Sequence, residues 1–155
     1  MSDEKTRQKV LVFLKHNPHG VLSTVSADGK PWGSSVYFAI DEDFNFFFIT
    51  RVKTHKYRNI AKNHYCSMTV SDNASQTTVQ AAGKVTRVPS KDIVSIVMKK
   101  LTHTKPHDDN KWVPPIVKVH GGDYMVLRLT PEALQYANFK QTKSDINESH
   151  IKKII

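Results

Sequence analysis

Residues 21–40, VLSTVSADGKPWGSSVYFAI, decide the fold. Val21 to Val25 is a β-branched run suited to a pleated surface, and Ala27-Asp28-Gly29-Lys30 carries the Asp-Gly signal of a two-residue hairpin turn. A second strand leaves the turn at about Trp32 and runs to Ile40, with Val36, Phe38 and Ile40 alternating with Ser35, Tyr37 and Ala39. Strands joined this closely are antiparallel, because a parallel pair needs a crossover of a dozen or more residues.

Outward from the hairpin, the acids Asp41, Glu42 and Asp43 mark a turn and read as solvated charges. Phe44 to Thr50 (FNFFFIT) is aromatic on both faces, which predicts a central or barrel-forming strand with Phe46, Phe47 and Phe48 in the core. From Lys53 to Asn63 the period changes to that of a helix, with Tyr57, Ile60 and Ala61 on one face and Thr54 as its N-cap. Strands return at Tyr65 to Val70 and at Thr77 to Val88. Pro89 and Ser90 open a second long helix, whose apolar stripe is Ile93, Val94, Ile96, Val97 and Leu101. A first helix is expected over Ser2 to His16, with Asp3 and Glu4 in its first turn. A last strand spans Tyr124 to Leu129, and the polar segment from Lys140 to Ile155 reads as a loosely attached helix. The expectation is a mainly β protein with peripheral helices (α+β), a small antiparallel β-barrel with helices outside it. One domain is expected over 1–139, followed by a basic tail, 140–155.

The chain has 155 residues, a net charge of +9 and one cysteine, Cys66. A lone cysteine excludes an internal disulfide, and on a strand it reads as a small buried hydrophobe. His103 and His107 have the spacing of a helical metal pair, but Pro106 breaks any helix there, and no metal is assigned. No apolar run reaches the ~20 residues of a bilayer span, and the charged start at Met1-Ser2-Asp3-Glu4-Lys5 does not resemble a secretory signal. A cytoplasmic location is the expectation. The positive excess calls for an anionic partner, which can be nucleic acid, an anionic membrane or a phosphorylated small molecule.

Where the charge sits narrows that choice. Arg51, Lys53, Lys56, Arg58 and Lys62 fall between Arg51 and Lys62 with no acid among them. Arg51, Lys53, His55 and Lys56 lie at or just before the start of the expected helix, where the helix dipole disfavours each cation by ~0.3–1 kcal/mol. A bound anion relieves that conflict, and a phosphate monoester suits the donors: Arg bidentate, Lys a point charge, Thr54 a hydroxyl. A solvated basic surface is the alternative from spacing alone.

The stretches GVLSTVSADGKPWGSSVYF, FNFFFITRVKTHKYRNIAKN and TTVQAAGKVTRV, in this order, resemble the pyridoxamine 5'-phosphate oxidase-like flavin-binding split-barrel family. The resemblance runs from Asn17 to Val88, with support from VLRLTP further on. It implies an antiparallel split barrel, a homodimer and FMN bound at the dimer interface. It also implies that Thr50, Arg51, Lys53, Thr54 and Lys56 form the phosphate-binding turn, with Lys56 the closest match. Ser34, Ser35 and Val36 match the strand whose backbone lies along the flavin ring. Thr78 stands where some relatives have a glutamine near the ring, and Trp112 is a candidate for the aromatic side chain that the partner subunit contributes.

The Arg- and His-bearing C-terminal extension that holds pyridoxal phosphate in true oxidases of this family has no counterpart in the quoted sequence, so that activity is not carried over. Short members of the family include flavin reductases, deazaflavin-dependent reductases and haem-degrading proteins. The implied function is an FMN-dependent oxidoreductase of unassigned substrate, with NADH or NADPH as donor and deazaflavin or haem as alternative cofactors. Two readings compete with it: a flavin-fold sensor or carrier without turnover, and a non-enzymatic basic barrel binding single-stranded nucleic acid.

Overall fold

The computed structural model describes residues 4–103, 124–140 and 151–155. β1 (His19–Val25) pairs antiparallel with β2 (Pro31–Ile40), His19 opposite Tyr37 and Val25 opposite Pro31. The connection is longer than the expected two-residue turn. Gly29 N donates to Ser26 O and Ser26 N to Lys30 O, both at 2.9 Å. Gly29 takes φ +81°, the left-handed region that glycine enters without a Cβ clash.

The hairpin is preceded by α1 (Glu4–His16). It is followed by β3 (Phe46–Arg51), α2 (His55–Lys62), β4 (Tyr65–Asp72), β5 (Thr77–Arg87), α3 (Lys91–His103), β6 (Tyr124–Asn138) and β7 (Ile151–Lys153). The strand order is β3-β2-β1-β4-β5-β6-β7, and β3 also pairs with β6. β1 to β6 therefore close into an antiparallel barrel, and β7 extends the sheet from the far half of β6. Closure covers most of the strand edges that an open sheet would have to protect.

Alternation along the strands fills the barrel. Leu22, Phe38, Phe46, Phe48, Met68 and Leu129 point inward and are buried, and α1 covers the same core with Val10, Leu11 and Leu14. Phe47 points the other way. It joins Tyr37, Ile49 and Val126 on an outer face covered by Val97 and Leu101 of α3. The doubly aromatic strand is explained by two covered faces, and Phe47 belongs to the outer layer rather than the barrel core.

Four details differ from the sequence reading. The α3 stripe narrows to Val94, Val97 and Leu101, because an already apolar sheet face needs only one row of contacts; Ile93 and Ile96 are exposed, Ile96 at 58%. β6 does not stop before Pro131 but continues to Asn138, with a register shift between Ala82 and Gly83 that seats Pro131 opposite Gly83. A Cβ on Gly83 would lie 2.0 Å from Thr130 O, so only glycine fits. The chain end is not a loose helix: Ile151–Lys153 is β7, Ile154 is buried, and Ile154 N donates to Leu134 O at 2.8 Å. Asp41 is more than a solvated charge. Its carboxylate accepts from Asp43 N, Asn45 N and Asn45 Nδ2 at 2.8–3.0 Å and builds the turn in which buried Phe44 takes φ 64°.

Candidate functional site

β2 and β3 pair only from Phe38 to Ile40. Below that point β3 continues along β6, with Thr50 opposite Met125 and Arg51 opposite Tyr124, while β2 stays with β1. The barrel splits between them. Phe38 N donates to Pro18 O on the β1 side, so by alternation the N–H and C=O of Ser35 and Gly33 point toward the split.

α2 begins at the foot of this split. Thr54 is its N-cap, as expected: Tyr57 N donates to Thr54 Oγ1 at 3.3 Å. Thr54 Oγ1 donates its single proton to Arg51 O at 2.8 Å, which makes Thr50 Oγ1 the donor in the 2.9 Å contact between the two hydroxyls. Both hydroxyls thus serve the turn itself. What the turn offers an anion is the His55 and Lys56 N–H groups at the start of α2 and the basic side chains of Arg51, Lys53 and Lys56.

Two contacts fix α2 against the hairpin. Asn59 Nδ2 donates to Thr24 Oγ1 at 3.0 Å in a buried pair, and the Trp32 ring stacks on His55, with centroids 4.9 Å apart and planes at 23°. In the sequence His55 figures only as one of the basic groups at the helix start, and Trp32, Thr24 and Asn59 carry no site role there. The signal for Asn59 is a polar residue on the apolar face of a helix, next to Ile60. Trp32 and His55 are 23 positions apart with nothing local to link them.

Lys56 is half-buried, and burial pushes its ammonium pKa below the ordinary lysine value. Among the described residues no ion pair involves it. A partly desolvated cation without a carboxylate, at the positive end of a helix, fits a bound anion.

The structure brings Thr50, Arg51, Lys53, Thr54 and Lys56 into one turn and sets Ser34, Ser35 and Val36 on the adjoining split strand. Val36 is buried in the core and Ser35 exposed, so this strand presents backbone rather than a continuous row of side chains. Thr78 is not brought to the turn. It lies on β5, with β1 and β4 between it and β2, and its hydroxyl bonds Ser71 Oγ at 2.6 Å. Trp112 and His107 lie outside the described residues. Cys66 is buried, and burial raises its thiol pKa to about 11, the behaviour of an inert core thiol.

A family model described as pyridoxamine 5'-phosphate oxidase matches residues 6–138. The pyridoxine/pyridoxamine 5'-phosphate oxidase of Dichelobacter nodosus is 28% identical over 113 residues, covering 72% of this chain and 52% of that protein. The chain spans about half the length of the curated relatives it matches. In three dimensions it is similar to a pyridoxamine 5'-phosphate oxidase-related, FMN-binding protein from Nostoc punctiforme, with a TM-score of 0.64, 15% identity and full coverage of both chains. It is also similar to a haem-binding protein from Mycobacterium smegmatis, with a TM-score of 0.69, 14% identity and coverage of 99% of this chain and 59% of that one. No described helix is long and apolar enough to cross a membrane. The split barrel carries the matched span from α1 through β6, and on that match the chain belongs to the pyridoxamine 5'-phosphate oxidase family.

Proposed function

We propose that the protein is an FMN-dependent oxidoreductase that works as a homodimer, with the flavin phosphate at the start of α2 and the ring along the split edge of β2. The observation that carries this reading is Lys56, half-buried, its ammonium disfavoured by burial, in the first turn of α2. Flavin, when bound, supplies hydride or electron transfer, and the chain's own residues bind and orient. Arg51, Lys53 and Lys56 neutralise the phosphate. The Ser35 and Gly33 backbone groups offer hydrogen bonds along the open edge, and the Trp32–His55 stack holds the first turn of α2 against the hairpin. Thr78, on β5 and three strands from β2, would meet a ring only from the partner subunit, and Trp112 is assigned to the partner side of the pocket. A small organic molecule reduced at the expense of NADH or NADPH is the proposed substrate class.

The test is reconstitution of the full chain with FMN, riboflavin, a deazaflavin phosphate or haem, followed by absorption spectroscopy and sizing. The expected result is stoichiometric FMN with an absorbance band near that of free flavin, on a dimer, bleached by NADH or NADPH. A Soret band with haem and no retention of FMN would overturn the reading, as would retention of FMN on a monomer.

A further inference from the structure

On the flank of α2 away from the phosphate turn, a cleft of about 360 Å³ lies between the helix, the end of β5 and the start of β6. Its walls are apolar: Ile60 and Ala61 from α2, Val85 from β5, Met125 and Leu127 from β6. Its charged lining groups are all basic, Lys84 and Arg87 on β5, with His64 beside them after α2. The size is within the range of small-molecule sites, and an apolar body with a few convergent polar groups is the arrangement such sites share. Arg87 and Met125 also line a second cleft of about 360 Å³, with Lys91 and Tyr124, so Arg87 stands between the two.

We infer that this groove binds a small amphipathic organic anion of the aryl carboxylate or sulfonate class, its ring on the apolar wall and its charge at Arg87 and Lys84. Charge complementarity selects the anion, since a neutral ring would gain only the apolar burial. Among the described residues the acid paired with Lys84 is Glu132, 4.0 Å from its Nζ. That pair is exposed and of little energetic weight, so it does not neutralise the groove. Lys84 Nζ also lies 5.3 Å over the Tyr65 ring. None of Thr50, Arg51, Thr54 and Lys56 lines the groove, so the inference stands apart from the flavin reading.

The experiment titrates the flavin-free full chain with 8-anilinonaphthalene-1-sulfonate, followed by its fluorescence rise, then competes the bound probe with 1-naphthoate and with its neutral isostere 1-naphthamide. The expected result is one saturable site, displaced by the naphthoate at least about tenfold more readily than by the amide, the scale of one charge-assisted contact in a partly exposed site. Arg87→Gln weakens the probe by about tenfold by the same argument. Ala61→Phe, an exposed helix position whose ring fills the cleft, abolishes the signal with an unchanged melting temperature. Equal competition by acid and amide, an Arg87→Gln affinity within about twofold of the parent, or competitive displacement of the probe by FMN would overturn the proposal. If Ala61→Phe does not fold, Arg87→Gln and the two competitors still decide it.

Discussion

Replacing Lys56 by Met keeps most of the apolar stem and removes the charge, and the consequences for the free and the loaded protein have opposite signs. In the free protein the half-buried ammonium has its pKa pushed down by burial. The charged form therefore costs stability at every pH below that pKa, and the cost is relieved as pH rises through it. Lys56→Met is thus expected to leave the free protein's melting temperature at pH 7 unchanged or higher. With FMN bound, the lost contact is a charge-assisted one worth about 1.5–3 kcal/mol, roughly 10- to 150-fold in affinity. Partial exposure places Lys56 toward the lower part of that range. Riboflavin has no phosphate and its affinity should change by less than about threefold. The assay is quenching of flavin fluorescence for both ligands, paired with thermal melts with and without FMN. Equal losses for FMN and riboflavin, or a free variant that melts markedly lower than the parent, would refute the assignment of Lys56 to a phosphate.

Thr54→Ala removes the N-cap of α2 and takes from the buried Thr50 hydroxyl its 2.9 Å partner, leaving it Arg51 O at 3.4 Å; it should cost about 1–2 kcal/mol, a fall of about 2–8 °C in a thermal melt of a chain this size. Gly83→Ala sets a methyl 2.0 Å from Thr130 O at the register shift, and soluble yield should collapse, which a small-scale expression comparison reads directly. Cys66, with its thiol raised from 9.0 to about 11, binds its proton more tightly when folded. Its contribution to stability is complete below about pH 9 and lost as pH rises through about 11, and the native protein should not react with a disulfide reagent at pH 8 until denaturant is added.

Much of this protein is legible in local sequence because its strands alternate cleanly and its turns carry the residues that turns need. Asp28-Gly29 gives the hairpin, Thr54 gives the start of α2, and the aromatic run at Phe46 to Phe48 signals a strand with both faces covered. The failures are non-local. β6 runs through Pro131 only because Gly83, on another strand, makes room for it, and nothing near Pro131 announces that. Ile151 to Ile154 look like the end of a polar tail, and their strand character comes from Leu134 to Ala137, on whose edge they pair. Ile93 and Ile96 fit a helical stripe as well as Val97 and Leu101 do. The width of the face they pack on, a tertiary property, decides which of them is buried.

The same distinction explains how the phosphate turn could be found from charge while its surroundings could not. A helix start rich in lysine and arginine contradicts the helix dipole within a few residues of chain, so the conflict is visible in sequence. The split beside it is not. It arises because β3 stops pairing with β2 after Phe48 while its pairing with β6, between residues some 80 positions apart, runs on to Arg51. The groove beyond α2 is less visible still, since Ile60 and Ala61 meet Lys84, Arg87 and Met125 only after the barrel has closed. One short helix then serves two surfaces: its first turn faces the split and its flank faces the groove, with Asn59 and Thr24 fixing its orientation for both. Asn59→Ala leaves the Thr24 hydroxyl buried without that partner, an expected loss of about 1–3 kcal/mol. Because both surfaces depend on that orientation, it should weaken FMN and the groove probe together, whereas Lys56→Met and Arg87→Gln should each weaken only one. Loss of FMN affinity alone in Asn59→Ala would mean that the helix is held from the groove side by Ile60 packing, and that the two surfaces are mechanically independent.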